Sequence, residues 1–276
     1  MAIKRKNKIS YKFYSIMFVV LVVLAACQLK NNEEKPTDVY NDFSIELAIP
    51  QITKAIESQV VEHSGYTVSY NNKRRNPNWV AYELTAEEVD GDAPRKGEFI
   101  PDPLVEGRQA NNNDYKRSGW SRGHHAPAGD MKWSEKSMEE SFYLSNISPQ
   151  NTNLNNGIWK SIEELARYNA KRYDKVLVVT GPAFETEKGM GAIGKNKVLI
   201  PDAFYKVLLV YDDGYKGIGF YCDNVEGKRK LSSYVLSIDS IENITGIDFF
   251  HKLPDEIENR VEKEYNWSEW TTTGYR

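Results

Sequence analysis

The sequence predicts an α+β domain with a mixed, largely antiparallel central sheet flanked by helices. Six short segments rich in β-branched and aromatic residues, each bounded by Gly, Asn, Asp or Pro, are typical of strands. They do not alternate regularly with helical segments, as the strands of a doubly wound fold would. The composition, with 40% hydrophobic and 27% charged residues, supports a packed core and excludes a disordered or collagen-like chain.

Local residue patterns place the elements along the chain. The predicted strands cover residues 66–70, 79–84, 142–147, 176–180, 204–211 and 218–222. A long helix is predicted from Leu154 to about Arg172, because Ile158, Ile162 and Leu165 recur at helical spacing. Shorter helices are predicted near residues 237–243 and 255–265. No second linker or internal repeat interrupts residues 45–276, so we expect them to form one domain.

The first 26 residues have the layout of a secretory signal peptide. Five basic residues and no acidic residue precede an apolar run over residues 16–26, which is too short to span a bilayer. The run ends in Leu24-Ala25-Ala26-Cys27, which resembles the lipobox of bacterial lipoproteins. That resemblance implies cleavage before Cys27 and lipidation of its thiol. The alternative is an ordinary signal peptide followed by a coincidental cysteine.

We therefore expect three parts: a lipoprotein signal peptide over residues 1–26, lipidated Cys27 with a polar tether over residues 27–44, and the folded domain over residues 45–276. The tether is almost entirely polar or charged, as a solvated linker would be. This organisation predicts an exported protein, held by lipid on the periplasmic or cell-surface side of a bacterial membrane.

Residue counts exclude a protein with an overall basic surface for nucleic acid and a typical zinc enzyme. The chain has 36 basic and 39 acidic residues, a net charge of −3, so any site for an anion must be local rather than spread over the surface. Its two cysteines and four histidines form neither a CxxC pair nor an HExxH motif, which excludes a typical zinc site.

The glycine-rich residues 189–196 have nearly the spacing of a phosphate loop, but a strand-like run ending at Pro201 follows them. Without a helix to receive a phosphate, the segment is predicted to be a loop.

A basic stretch within this acidic chain is the candidate functional region. Residues 108–132 contain five basic and two acidic side chains, the contrast that a phosphate-binding cleft needs. Further along, Asn155, Trp159, Glu163 and Arg167 recur every four residues, which places them on one broad helical face. Taken alone, that face could equally be solvated, with Glu163 and Arg167 forming an ion pair.

Three motifs in this region resemble those of the DNA/RNA non-specific endonucleases of the ββα-metal, or His-Me finger, class. The family's Asp-Arg-Gly-His is similar to Ser-Arg-Gly-His at residues 121–124. Its Ser-Asn-Ile-x-Pro-Gln matches residues 145–150, and its Leu-Asn-x-Gly-x-Trp matches residues 154–159. Order and spacing agree over about residues 66–221. The resemblance implies the ββα-metal nuclease fold and a Mg²⁺-dependent endonuclease that hydrolyses DNA and RNA with little sequence specificity, leaving 5′-phosphate ends.

The same resemblance implies a catalytic centre made of three side chains. His124 matches the general base, which removes a proton from the attacking water. Asn155 matches the only direct protein ligand of one Mg²⁺, for which Mn²⁺ is a candidate substitute, and water and phosphate oxygens complete the coordination. Glu163 matches a residue that holds metal-bound water. Since an ordinary histidine has a pKa of about 6.5, we expect enough neutral His124 near neutral pH without special tuning.

Three further positions match residues assigned to the substrate. Arg122 and Arg167 correspond to arginines that bind the phosphate and stabilise its developing charge, which makes them part of the predicted catalytic set. Asn146 joins them in the predicted substrate-binding set, with a supporting role through hydrogen bonds. His125 and Trp159 are assigned to packing or hydrogen bonding in the core. A further family arginine is nearest to Arg95, but the spacing differs, so Arg95 is left out.

One departure from the family pattern leaves alternatives open. Ser121 stands where the family usually has Asp. We expect activity to persist, because the second ring nitrogen of His124 needs only an acceptor, and a backbone carbonyl can serve. The alternatives are a catalytically weak, nucleic-acid-binding surface lipoprotein and a phosphodiesterase that acts on another substrate.

Overall fold

A computed structural model describes residues 43–227 and 229–271. The predicted signal peptide, Cys27 and most of the predicted tether lie outside these residues. Within the described part, no helix is long and apolar enough to cross a membrane.

The strands and helices alternate irregularly along the chain. The strands are β1 (Gln51–Ile52), β2 (Gln59–Glu62), β3 (Thr67–Asn71), β4 (Asn76–Thr85), β5 (Ser121–His124), β6 (Ile147–Gln150), β7 (Lys175–Ala183), β8 (Ala192–Ile193), β9 (Val198–Leu199), β10 (Ala203–Tyr211), β11 (Tyr215–Asp223), β12 (Val235–Leu236) and β13 (Ile247–Asp248). The α-helices are α1 (Ala86–Val89), α2 (Asn112–Tyr115), α3 (Glu135–Glu140), α4 (Thr152–Leu154), α5 (Lys160–Tyr173), α6 (Ile238–Thr245), α7 (Asp255–Lys263) and α8 (Trp267–Trp270). Single 3₁₀ turns cover Ile45–Ala48, Leu144–Asn146 and Leu231–Tyr234.

A seven-stranded sheet forms the centre of the fold, with the strand order β12-β11-β10-β7-β4-β3-β2. Every pair of neighbouring strands in it is antiparallel. Its central strands β7 and β10 are buried along almost their whole length, as their continuous apolar runs require. The predicted α+β class with a largely antiparallel sheet is confirmed.

Helices cover both faces of this sheet. On one face, Ile162 and Leu165 of α5 belong to the same apolar core as Ile218 and Phe220 of β11. On the other face, a Cβ at Gly217 would meet Val261 of α7. Glycine is therefore needed where that helix approaches the strand most closely.

The long predicted helix exists, but it contains an irregular turn. Residues 160–173 form the regular helix α5, whose buried side chains are Ile162, Leu165, Ala166, Asn169 and Ala170. Before it, Asn155–Trp159 form a π-helical turn in which Gly157 has the non-helical angles φ −109° and ψ −110°. A π turn holds more residues per turn than an α-helix, so the four-residue spacing no longer marks a single face here.

The predicted strand over residues 142–147 is wrong. Leu144–Asn146 form a 3₁₀ turn, and β6 begins only at Ile147. The cause is the Asn146 side chain, which donates hydrogen bonds to the carbonyl oxygens of Ala126 and Ser141, both at 2.8 Å. The loop predicted over residues 189–196 is only partly right, because Ala192–Ile193 form β8, which pairs with β9. The element that follows the segment is a strand and not a helix, as expected.

Candidate active site

The candidate site is built on two short strands and the helix that follows them. Strands β5 and β6 pair antiparallel, with His124 opposite Ile147 and Ser121 opposite Gln150. A Cβ at Gly123 would collide with the Gln150 side chain, so glycine is required in the middle of β5. The helical segment starts directly after β6 and carries the predicted metal ligand in its second turn.

Asn151 and Asn224 fix the junction between β6 and this helical segment. Oδ1 of Asn151 accepts hydrogen bonds from the backbone nitrogens of Asn153 and Leu154, at 2.9 and 3.1 Å, which caps the helix. The buried Asn224, just after β11, donates to the carbonyl oxygen of Pro149 at 3.1 Å. Its Oδ1 accepts from the backbone nitrogen of Asn151 at 2.8 Å. The central sheet thereby sets the position at which the helix begins.

Trp159 connects the strand that carries His124 to the turn that carries Asn155. Its indole Nε1 donates to the carbonyl oxygen of His124 at 3.3 Å, and its ring packs 5.5 Å from that of Phe204. Trp159 is fully buried, whereas Asn155, Glu163 and Arg167 are half-buried. The predicted shared face of four residues is therefore wrong for Trp159, because the π turn rotates it into the core.

The imidazole ring of His124 is held by aromatic packing. The Phe99 and Phe142 rings lie 5.6 and 5.2 Å from it between centroids, and the Phe142 ring contacts it edge-on. Nε2 of His124 is enclosed and has no hydrogen-bond partner among the described residues. The expected backbone acceptor for the second ring nitrogen is therefore absent from this part of the chain. Packing, not a hydrogen bond, orients the ring.

This environment changes the acidity of His124. Burial, assisted by the positive charge of Arg95, lowers the pKa of His124 to about 3. The expectation of an ordinary histidine is therefore wrong, because an enclosed ring next to a guanidinium disfavours the imidazolium form. The ring is neutral throughout the physiological pH range.

His125 has the structural role predicted for it. The ring is fully buried, and its Nε2 lies 2.8 Å from the hydroxyl oxygen of Ser148 on the neighbouring strand β6. Its carbonyl oxygen accepts a hydrogen bond from Nζ of Lys206 at 3.2 Å. Lys206 is itself fully buried, with Nζ 5.1 Å from the centroid of the Trp159 ring.

Asp130 contacts the charged and polar side chains that lie beneath the proposed site. Its Oδ1 lies 2.6 Å from Nη1 of Arg167, and its Oδ2 accepts a hydrogen bond from the Tyr82 hydroxyl at 2.8 Å. Burial lowers the pKa of Lys206 to about 8, while the negative charges of Glu163 and Asp130 act against that change. Burial raises the pKa of Glu163 to about 7, although the positive charge of Lys206 opposes the rise. These charges lie close enough to stabilise one another in the interior.

Arg122 lies on β5, two residues before His124, and its guanidinium group lies over two aromatic rings. Its guanidinium carbon is 5.2 Å from the centroid of Phe99 and 5.4 Å from that of Tyr115. Nη2 donates to the carbonyl oxygen of Asn112 at 3.1 Å. Aromatic stacking fixes the plane of the guanidinium and leaves donors available for an anion.

Ser121, at the position where the family usually has Asp, joins β5 to the helix. Its hydroxyl oxygen lies 2.9 Å from that of Thr152 in α4. The serine therefore contributes to the strand–helix junction rather than to the orientation of the His124 ring.

Asn146 does not fit the predicted substrate-binding role. It is fully buried, and its Oδ1 accepts from the backbone nitrogen of Ala126 at 2.9 Å, while its amide donates to two carbonyl oxygens. All of its side-chain polar groups are thus used to hold the loop that follows His125. Asn146 supports the site from below, as its predicted hydrogen bonds suggested.

The structure adds residues that the sequence did not select. The exposed Arg95 has its guanidinium carbon 5.2 Å from the centroid of Phe142, and its charge reaches His124 and Glu163. The order of arginine, aromatic residue and Asp-Pro was the signal for it. For Lys206 and Asp130 there was no comparable local signal, because both contact residues that are distant in sequence.

Asn155 and Glu163 are suited to a hard divalent cation. Neither side chain makes a hydrogen bond or an ion pair with any residue in the part of the chain that the structure describes. Both offer oxygen atoms, the donors that Mg²⁺ and Mn²⁺ prefer. No cluster of three His, Cys, Asp or Glu ligands surrounds them within residues 43–227 and 229–271. A cation here would depend on few protein ligands, as the resemblance implied.

The environment of His124 generates a testable pH dependence. Because the lowered pKa lies far below the ordinary value of about 6.5, the metal-free protein should keep His124 neutral from pH 8 down to pH 5. In the unfolded chain the His124 ring would take up a proton between pH 8 and pH 5. The contribution of His124 to the free energy of unfolding therefore falls as the pH decreases over this interval. Ring ¹⁵N chemical shifts, assigned with His124→Gln, measure this directly. Arg95→Gln should raise the midpoint, whereas a wild-type midpoint near 6.5 would contradict the described environment.

Comparisons with known proteins agree with this geometry. Residues 44–256 match the family model described as DNA/RNA non-specific endonuclease. Over 207 residues the chain is 39% identical to the mitochondrial nuclease EXOG of Danio rerio, covering 69% of this chain and 60% of that protein. It is 34% identical over 206 residues to mitochondrial endonuclease G of Homo sapiens, covering 70% of this chain and 69% of that one.

A fungal relative and a solved structure extend the comparison. Nuclease C1 of Cunninghamella echinulata var. echinulata is 34% identical over 209 residues, which cover 70% of this chain and 83% of that protein. A chain in the crystal structure of the EndoG/EndoGI complex superimposes with a TM-score of 0.69 at 31% identity, covering 77% of this chain and 92% of that one. The chain spans only 56–60% of the length of the EXOG nucleases that it matches. By sequence and by its ββα-metal fold, the chain belongs to the DNA/RNA non-specific endonuclease family.

Proposed function

We propose that the protein is a Mg²⁺-dependent endonuclease that hydrolyses phosphodiester bonds of DNA and RNA. The observation that carries this proposal is that His124, Asn155 and Glu163 all lie on one strand–strand–helix unit, formed by β5, β6 and the helical segment that follows them. The hydrogen bond from Trp159 to the carbonyl oxygen of His124, at 3.3 Å, holds the two halves of that unit together. Names of the relatives, including endonuclease G and nuclease C1, support the same class of activity.

Positive charge would attract the phosphate backbone of the nucleic acid to the ββα unit. Arg122 of β5 and Arg167 of α5 belong to the ββα unit, and the charge of Arg95 reaches His124 in it, although the net charge of the chain is −3. Arg167 is held by Asp130, and Arg122 is held by two aromatic rings, so their guanidinium groups are oriented before a phosphate arrives. A preorganised positive site stabilises the extra negative charge that develops on the phosphate oxygens during hydrolysis.

His124 would act as the general base. It is neutral in the free protein, so it can accept a proton from water as that water attacks phosphorus in line. A phosphodiester anion beside the ring favours the imidazolium form, so substrate binding raises the pKa of His124 and makes the ring a stronger base. The bond from phosphorus to the 3′ oxygen breaks, the departing oxygen takes a proton from water to become a 3′-hydroxyl, and the product keeps a 5′-phosphate.

Asn155 would hold Mg²⁺ directly, and Glu163 would hold it through water, with Mn²⁺ able to substitute. When bound, the cation neutralises charge on the phosphate and on the departing oxygen. Sequence preference is expected to be weak, because contacts with phosphate and sugar carry no direct information about the bases. Strong inhibition by salt should accompany this mode of binding.

Conversion of supercoiled plasmid and of an RNA transcript tests this function. The purified protein should cut both in Mg²⁺ and neither in EDTA. His124→Ala should reduce the rate by about 10²–10⁴-fold, the usual contribution of a general base. His251→Ala, a half-buried histidine outside the proposed site, is the matched control and should keep its activity.

Three results would overturn the proposal or redirect it. Cutting that continues in EDTA, or in folded His124→Ala at the wild-type rate, contradicts the metal-dependent mechanism. Retention of DNA without cleavage in Mg²⁺ would instead favour the nucleic-acid-binding alternative. Cleavage of a small phosphodiester without competition by DNA would favour a different substrate.

We further propose that Cys27 anchors the protein to a bacterial membrane through lipid, on the exported side. The support is the order of basic residues, apolar run and Leu24-Ala25-Ala26-Cys27. When the gene is expressed in bacteria, the protein should enter the detergent phase of a Triton X-114 extraction, and Cys27→Ser should move to the aqueous phase. Cys222→Ala, which alters a buried cysteine of β11, is the control and should remain in the detergent phase. Equal partition of the Cys27→Ser and wild-type proteins would exclude the lipid anchor.

A further inference from the structure

A second group of acidic side chains lies outside the proposed catalytic set. It comprises Asp239 and Glu242 of α6, Asp248 of β13, and Glu258 and Glu262 of α7; we call it the carboxylate cluster. Carboxylate oxygens of Asp239, Glu242 and Glu262 all lie within 4.8 Å of one another. The same holds for Asp248, Glu258 and Glu262. Glu262 is the shared member at which the two groups of three meet.

Glu262 is in an unusual position for a carboxylate. The residue is only 5% exposed, and its Oε1 is enclosed without a hydrogen-bond partner among the described residues. Removing an ionised carboxylate from water without a partner is costly, so buried carboxylates are normally paired or bound to a metal. An unpartnered oxygen on the carboxylate that both groups of three share points to a ligand.

The described residues offer the carboxylate cluster no ion-pair partner. None of the ion pairs within residues 43–227 and 229–271 includes a member of the carboxylate cluster. Burial, together with the charges of the other four members, raises the pKa of Glu262 to about 9. Burial also raises the pKa of Glu242 to about 7. The cluster is therefore balanced by protons or by a cation.

The arrangement is rigid enough to receive a cation. Oε1 of Glu242 accepts a hydrogen bond from the backbone nitrogen of Phe249 at 2.7 Å, which fixes that side chain. Asp248 is held in β13, which pairs with β1 through Gln51. On α7, Val261 lies where the helix closely approaches Gly217 of β11. Helix α6 and strand β13 thus each present carboxylate oxygens close to Glu262 of α7.

We propose that the carboxylate cluster is a Ca²⁺-binding site that fastens α7 to α6 and β13. Ca²⁺ takes six to eight oxygen ligands at about 2.3–2.6 Å, so oxygens bound to one ion lie no more than about 5.2 Å apart. The oxygens of each group of three lie within 4.8 Å of one another, so each group can reach a single ion. Mg²⁺ demands a stricter octahedron and retains water, which suits several converging carboxylates less well. Because α7 begins at Asp255, it lies almost wholly beyond residues 44–256, which match the family model.

Calcium titration of EDTA-stripped protein tests the site. By isothermal titration calorimetry the wild-type protein should bind one Ca²⁺ that Glu262→Gln does not bind. At a Ca²⁺ concentration about 100 times Kd, binding should raise the Tm by about 5–10 °C in the wild type. Glu256→Gln, an exposed position on the same helix α7, is the matched control and should respond like the wild type.

Two further variants separate this site from the catalytic centre and guard against misfolding. Asn155→Ala should lose nuclease activity but keep the Ca²⁺-dependent rise in Tm, so failure of one proposal leaves the other standing. Glu258→Gln, a half-buried member of the cluster, should weaken Ca²⁺ binding at least tenfold and provides the test should Glu262→Gln not fold. A wild-type Tm that Ca²⁺ leaves unchanged, or equal Ca²⁺ stabilisation of folded Glu262→Gln, would overturn the proposal and assign the cluster to shared protons.

Discussion

The ion pair between Arg167 and Asp130 joins the parts of the protein that carry the proposed active site. Asp130 follows the His124 strand, Arg167 lies on α5, and Tyr82, which donates to Asp130 at 2.8 Å, lies in the central sheet. Lys206 reaches the same region from β10 and is fully buried. A buried cation is stable only when a carboxylate lies close to it. Asp130 and Glu163 therefore stabilise the positive charges of Arg167 and Lys206 in the interior. These interactions in turn hold α5, the loop after β5 and the central sheet in fixed relative positions.

The same core determines where the reactive groups lie. Trp159 and Lys206 donate hydrogen bonds to the carbonyl oxygens of the adjacent residues His124 and His125, at 3.3 and 3.2 Å. The backbone below the His124 ring is therefore fixed from the sheet side, while the ring itself is held, as far as residues 43–227 and 229–271 show, by packing between two phenylalanines. This division suits the proposed base: the ring has a defined position, and within the described residues no hydrogen bond to Nε2 competes for the proton that the ring would accept.

Patterns that depend on local sequence predicted much of this structure. The strand pattern and the Ile158, Ile162 and Leu165 spacing identified the fold class and α5, and three motifs identified the family. The strand predicted over residues 142–147 failed because Asn146 uses its amide for loop hydrogen bonds, and the face shared by Trp159 failed because of the π turn. Arg95 had a sequence signal but was left out because the spacing differs from the family pattern. Lys206 could not be selected, because its contacts arise when residues distant in sequence pack together.

Chemical rescue tests the proposed role of His124 most directly. Imidazole added to His124→Ala should restore plasmid cleavage in Mg²⁺ in proportion to its concentration, since the cavity between the two phenylalanine rings would admit a free base. Asn155→Ala keeps the base and lacks the proposed metal ligand, so imidazole should not restore its activity. Failure of imidazole to rescue a folded His124→Ala protein that binds DNA, or equal stimulation of both variants, would contradict the assignment of His124 as the base.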